Sequence, residues 1–258
     1  VSAPLLFITG ASSGIGQAMA LEWARRGGRL ALVARRGEQM RAWIAEQGWG
    51  PERAAVYVAD ARDTAAMTAA GHACIAAQGL PDVVIANAGI SVGVDTAIEG
   101  DLEVLRAIVE TNNIGMAATF QPFFGPMCER RSGALVGIAS VAGIRGLPGH
   151  AAYSLSKAGV IAYCESLRLE CRPFGVRVVT IAPGYIDTPL TQHNAYSMPF
   201  LMPADKFAAQ ALDAIAAGVG LRVIPWQMGV VVRLLRILPN WLYDRLLAGR
   251  PRKARQGQ

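Results

Sequence analysis

The chain has 258 residues, 52% hydrophobic and 17% charged, which excludes global disorder and supplies material for one large or two small buried cores. The formal net charge of +6 belongs to the end of the chain: residues 222–258 carry eight Lys/Arg against Asp244, a balance of +7, and the first 221 residues carry 17 basic against 18 acidic side chains, −1. No run reaches the roughly 18 apolar residues of a spanning helix, no basic-then-apolar leader opens the sequence, and the four cysteines and three histidines are not spaced as metal ligands, so no metal site is expected.

Residues 5–9 form an apolar run without alternation, as in a strand buried on both faces. A glycine-rich turn follows, and then a helical pattern over 17–26. Further strands are expected at 30–34, 55–59, 83–86, 134–138 and 176–181, with a short seventh at 222–224. Helical stretches lie near 38–47, 63–78, 101–128, 152–171 and 204–217. Buried strands alternating with helices imply an α/β fold, a Rossmann-type doubly wound parallel sheet of about seven strands with helices on both faces. One domain is expected over 1–221, followed by a basic, amphipathic extension over 222–258.

The turn after the first strand carries Gly10, Ser12, Ser13, Gly14, Ile15 and Gly16, with glycines spaced Gly-x-x-x-Gly-x-Gly. Such a turn lets a ligand approach the backbone, and the helix that follows offers N–H groups and the positive end of its dipole to a phosphate. The end of the second strand selects the dinucleotide. An acid there would bind the ribose 2′-hydroxyl of NAD, whereas Arg35 and Arg36 suit the 2′-phosphate of NADP. NADP(H) is therefore expected over NAD(H).

Tyr153 and Lys157 stand four apart in a helical stretch and share a face. A fixed cation beside a phenol favours the phenolate and lowers its pKa. The pair is a candidate general acid/base.

Thr9-Gly10-Ala11-Ser12-Ser13-Gly14-Ile15-Gly16, Asn87-Ala88-Gly89, Ser140, Tyr153 to Lys157 and Pro183-Gly184, in this order, resemble the short-chain dehydrogenase/reductase family over roughly residues 5–190. The resemblance implies that Tyr153 is the acid/base and that Lys157 depresses its pKa and binds the nicotinamide ribose. It implies that Ser140 holds the substrate oxygen and that Asn112 anchors a proton-relay water. Asn113 is the rival for that last role, but the Asn-x-x-Gly spacing to Gly115 favours Asn112. Asp60 and Ala61 would lie near the adenine, and Asn87, Ala88 and Gly89 under the cofactor. Pro183, Gly184, Ile186 and Thr188 would orient the carboxamide. Ala86 and Ala139 depart from the commoner asparagine and serine of the family without touching the chemistry. The function so implied is hydride transfer between NADP(H) and an apolar carbonyl or secondary alcohol, in a homodimer or homotetramer. The alternative is a non-catalytic dinucleotide sensor or scaffold recruited through its tail.

Residues 189–203 resemble the family's substrate lid, and their apolar side chains suit either an apolar substrate or core packing. In 228–248, Arg233, Arg236, Asn240 and Asp244 share one helical face and Val231, Leu235, Leu238, Leu242 and Leu246 lie opposite, with Pro239 expected to kink or divide the helix. Three destinations stay open for this segment: a membrane surface, a second subunit, or the chain's own body. The expected location is the cytoplasm, with the inner face of the membrane as the peripheral alternative. No nucleic-acid recognition module is present.

Overall fold

A computed structural model describes residues 3–192 and 197–255. The central sheet is built from β1 (Leu5–Thr9), β2 (Arg29–Ala34), β3 (Ala54–Val58), β4 (Val83–Ala86), β5 (Ala134–Ile138), β6 (Arg177–Pro183) and β9 (Leu221–Ile224). Two further two-residue strands, β7 (Ile186–Asp187) and β8 (Met202–Pro203), pair with each other outside it. The sheet is parallel throughout, in the order β3-β2-β1-β4-β5-β6-β9. β1, β4 and β5 are buried at every position, which is why they read as unbroken apolar runs: helices cover both faces.

One face holds α1 (Gly14–Arg25), α2 (Gly37–Glu46) and α7 (Ala204–Ala216), packed through Met19, Met40, Phe207 and Leu212. The other holds α3 (Thr64–Gln78), α5 (Gly115–Arg130) and α6 (Ala151–Cys171), packed through Met67, Phe123, Val160 and Cys164. Phe7 of β1 meets Phe123 with ring centroids 4.7 Å apart.

The helix expected over 101–128 is interrupted. α4 (Asp101–Val109) passes through one wide π turn at Glu110–Ile114 before α5 begins. Such turns insert an extra residue and re-aim side chains, and here the re-aimed residue is Asn112.

The boundary expected at 221/222 is corrected. It falls inside β9, whose register runs Thr180↔Leu221 to Pro183↔Ile224, so the extension leaves the sheet only after Ile224. It continues as α8 (Trp226–Ile237) and α9 (Asn240–Leu247). Leu238 and Pro239 between them are extended, the division at Pro239 that the ring's fixed φ imposes. The expected helical wheel holds in part. Arg233, Arg236, Asn240 and Asp244 are exposed and Val231, Leu235, Leu238 and Leu242 are half-buried, but Leu246 is exposed and the residues that face the core are Met228, Gly229 and Val232.

Candidate functional site

The strand order reverses between β1 and β4, and their carboxyl ends diverge around a cavity of about 530 Å³. Ligands of open α/β sheets bind in this crevice. A staple of four hydrogen bonds fixes the two strand ends. The Thr9 hydroxyl accepts the backbone N–H groups of Asn87 and Ala88, each at 3.1 Å, and the Asn87 amide donates to the carbonyls of Thr9 at 3.0 Å and Gly10 at 3.3 Å.

Gly10, Ser12, Ser13, Gly14 and Ile15 line the cavity. Gly10 and Gly14 have φ of +67° and +58°, a region that glycine enters without strain. Gly16 stands behind this wall. A Cβ added there would lie 2.3 Å from the Gly10 carbonyl oxygen. The turn and the start of α1, which carries no acid in its first turn, form a cradle for phosphate.

Both expected arginines line the cavity, but they are not equivalent. Arg36 donates to the Ser12 hydroxyl at 2.9 Å and to Ser13 at 3.3 Å, which holds its guanidinium over the glycine turn. Arg35 lies 3.9 Å from Asp60. Asp60 is held mainly by Arg62, through its side chain at 3.0 Å and its backbone N–H at 3.0 Å, and these bonds lower its pKa. Arg62 and Thr9 line the cavity as well and were not expected there; Arg62 stands two residues after Asp60, and Thr9 stands inside the glycine motif. Leu190, from the segment expected as a lid, lines it too. Ala61, Asn87, Ala88, Gly89, Pro183, Gly184, Ile186 and Thr188 also line it. A turn with glycines at 10, 14 and 16, a helix start and a guanidinium beside it are features that fit a dinucleotide, with Arg36 placed to hold a phosphate.

Ser140, Tyr153 and Lys157 meet at the far end of the same cavity. Ser140 ends the turn after β5, where its hydroxyl accepts the Ala142 N–H at 3.2 Å and hydrogen-bonds the Tyr153 phenol. Lys157 is buried and donates to the Ile138 carbonyl at 2.8 Å, with its Nζ 5.6 Å from the Tyr153 ring centroid. Burial brings the Lys157 ammonium down to about 8. The expected lowering of the tyrosine's pKa is corrected: burial raises it, and the Ser140 hydrogen bond offsets only part of the rise. The phenolate would be a partly desolvated anion on the cavity wall, and desolvation penalises it.

Asn112 does not line the cavity. Its side chain accepts the Ile90 N–H at 2.9 Å and donates to the Ile90 carbonyl at 3.1 Å and the Ser156 hydroxyl at 2.9 Å. Ser156 in turn donates to the Tyr153 carbonyl at 2.8 Å. Asn112 thus ties the loop after β4 to the first turn of α6, which carries the tyrosine. Asn113 donates to the Ser156 carbonyl at 2.8 Å and makes no such bridge.

The segment expected as a lid is anchored at its base, where β7 pairs with β8 and the Met202 N–H donates to the Tyr185 carbonyl at 3.0 Å. Met202 packs on the core, whereas Leu190, Phe200 and Leu201 are exposed. Residues 193–196, with Tyr196, lie outside the described residues.

The extension docks on the chain's own body. Arg145 stacks 4.2 Å over the Tyr243 ring, donates to Asn240 Oδ1 at 3.1 Å and reaches the carbonyls that end α8. Tyr243 donates to the Gly146 carbonyl. Further on, the chain forms a strap: the Gly93 N–H donates to the Ala254 carbonyl at 2.8 Å, and Arg255 grips Asp101 with bonds of 2.7 and 2.8 Å. Gly93 and Gly149 admit the strap because a Cβ on either would lie within 2.7 Å of the Lys253 backbone. The Arg255 guanidinium and the Asp95 N–H hold Asp101 at about 2, below its ordinary 3.8. A lowered carboxylate contributes stability above its unfolded pKa and loses it as pH falls through the folded value. The strap's contribution should therefore be complete above pH 3.8 and fade as pH falls through about 2. Arg255→Gln should flatten that part of the dependence when wild type and variant are compared by urea denaturation across the acid range; an unchanged acid profile would contradict it.

A family model described as short chain dehydrogenase matches residues 5–198. An uncharacterized oxidoreductase of Myxococcus xanthus (strain DK1622) is 40% identical over 237 residues, 92% of this chain and 93% of its own length. Among solved structures, a short-chain dehydrogenase from Streptomyces avermitilis is similar with a TM-score of 0.78 at 26% identity, over 90% of this chain and 92% of that one. One from Burkholderia cenocepacia J2315, in complex with NADP, has a TM-score of 0.83 at 22% identity, over 96% and 98%, a likeness of fold.

Proposed function

The chain belongs to the short-chain dehydrogenase family and is an oxidoreductase, and on that premise we propose that it exchanges hydride between NADP(H) and an apolar small molecule bearing a carbonyl or secondary alcohol. The observation that carries this reading is the meeting of Ser140, Tyr153 and Lys157 at one end of the cavity whose other end is the glycine turn under Arg36. The bound nicotinamide supplies or accepts the hydride.

The rest is done by the protein. In reduction, Tyr153 gives its proton to the carbonyl oxygen as negative charge develops there. Burial raises the phenol's pKa, which favours the protonated form that the acid role needs. Ser140 donates a second hydrogen bond to the same oxygen, so two fixed donors meet the charge as in an oxyanion hole. Lys157 places a positive charge behind the phenol, held by the Ile138 carbonyl. Asn112 positions the loop after β4 and, through Ser156, the turn that carries Tyr153. In oxidation the same proton returns to Tyr153.

The preference for NADP(H) rests on Arg36 over Ser12 and Ser13, with no acid at the end of β2. Hydrogen bonds to charged groups are worth about 1.5–3 kcal/mol. Arg36→Glu should accordingly lower kcat/KM for NADPH by about 10- to 100-fold or more while sparing NADH. Steady-state reduction of a ketone and aldehyde panel with each cofactor reads this. Equal loss with both cofactors would remove Arg36 from the selection, and no turnover on any carbonyl would remove the redox reading. Pairing of copies is part of the proposal: Ile114, Leu155 and Tyr163 are exposed apolar residues on the π turn and α6, available to a second copy.

A further inference from the structure

α8 carries an apolar stripe on its outer side that is largely open to solvent. Trp226, Val230, Leu234 and Ile237 are 69%, 46%, 57% and 77% exposed. At the helical repeat of 3.6 residues they fall within one arc. This stripe is distinct from the face holding Met228, Gly229 and Val232, which fixes the helix to the core beside Val223. The helix is therefore immobilised with its apolar outer side facing solvent. Exposed Arg233 and Arg236 run along one edge of the stripe, and exposed Arg222 precedes it. No Asp or Glu occurs between Asp213 and Asp244. After the break at Pro239, Trp241 is a further tryptophan exposed at 69%. No helix among the described residues is long and apolar enough to cross a membrane.

We propose that this outer side of α8 seats the protein on an anionic lipid surface, with Trp226, Leu234 and Ile237 entering the headgroup–acyl boundary and Arg233 and Arg236 meeting lipid phosphates. Three observations favour lipid over a second copy of the chain. The edge of the stripe carries only positive charge, complementary to anionic headgroups. A two-fold pairing of the stripe would set Arg233 and Arg236 against their own counterparts, with no acid on the helix to offset them. Four exposed side chains on one 12-residue helix also fall far short of the roughly 20–30 residues per side of a stable protein interface. They suit a shallow interfacial helix, where tryptophan is favoured and arginine stems can lie along apolar surface while their heads stay in water. The consequence for the enzyme is a carbonyl or alcohol substrate drawn from the lipid phase, which rests on the function proposed above; the surface binding itself does not.

The test is co-sedimentation of the full chain with extruded vesicles of phosphatidylcholine, alone or in equal parts with phosphatidylglycerol. The wild type should pellet with the phosphatidylglycerol vesicles and far less with phosphatidylcholine alone, and added salt should weaken the binding. Ile237→Glu should lower the bound fraction about tenfold or more, with melting temperature and turnover unchanged because Ile237 is 77% exposed and lies outside the cavity lining. Arg233→Gln with Arg236→Gln should remove the preference for the anionic vesicles. No binding to either vesicle overturns the proposal, and so does binding that survives Ile237→Glu. A self-association seen by sedimentation velocity and dissolved by Ile237→Glu, without vesicle binding, overturns it in favour of a second copy. None of these readouts uses redox activity, so a failure of the lipid surface and a failure of the oxidoreductase reading are separable.

Discussion

Tyr153→Phe should lower kcat about 10²–10⁴-fold, the range set by loss of a positioned general acid or base, and leave NADPH binding intact. The substitution removes one oxygen. The ring keeps its place on α6, and the bond of Lys157 to the Ile138 carbonyl does not involve the phenol. The hydrogen bond to Ser140 is lost with the proton donor. A group acting only as charge develops on the substrate oxygen lowers kcat and kcat/KM together, so KM should move little. Turnover of NADPH with an accepted carbonyl, beside a fluorescence titration of the cofactor, reads both quantities. Near-normal kcat in the variant would take the proton-transfer role from Tyr153.

Gly16→Ala should abolish dinucleotide binding or weaken it by about 10²-fold, since misplacing a binding element by about 1 Å costs that much. A Cβ at this position would lie 2.3 Å from the Gly10 carbonyl oxygen, 2.5 Å from Asn87 Nδ2 and 2.9 Å from the Gly10 carbonyl carbon. Two of these atoms are backbone, and the third belongs to the staple that joins β1 to β4. None can yield without moving the phosphate cradle. Gly125→Ala is the matched control, because a Cβ there meets nothing within 4 Å. Cofactor titration and thermal melting of the two variants decide the matter; a Gly16→Ala protein that binds NADPH like the wild type would show that the cradle does not depend on this close approach.

The sheet was legible in the sequence because strands covered on both faces leave unbroken apolar runs, as 5–9, 83–86 and 134–138 do. The gathering of Gly10, Ser140, Tyr153 and Lys157 around one cavity was legible because their motifs lie at strand ends and at the start of a helix that packs beside them. Other features were hidden for identifiable reasons. Arg35 and Arg36 are adjacent and chemically identical, and only the reach of Arg36 to Ser12 separates them. The net rise in the Tyr153 pKa depends on burial, which outweighs the Ser140 hydrogen bond and has no signature in a four-residue spacing. The wide turn at Glu110–Ile114 leaves the helical periodicity nearly unbroken, so a single helix was the natural expectation. The wheel over 228–248 foresees a division at Pro239 but not which side of the first half docks. The break at Leu238 and Pro239 ends α8 early, and docking on β9 chose Met228 and Val232 as the inner side.

The strap at 252–255 also has a consequence in time. It joins loops near residues 93–101 and 149 to residues about 150 and about 100 positions later in the chain, and about 30 positions beyond the last strand of the sheet. Chains are made from the N-terminus, and a domain can collapse as it emerges. The cofactor cradle, built mostly before residue 90, can therefore take shape well before the strap has been synthesised. During translation this enzyme should gain the framework of its nucleotide cradle first and the Arg255–Asp101 clasp that ties its tail to the body last.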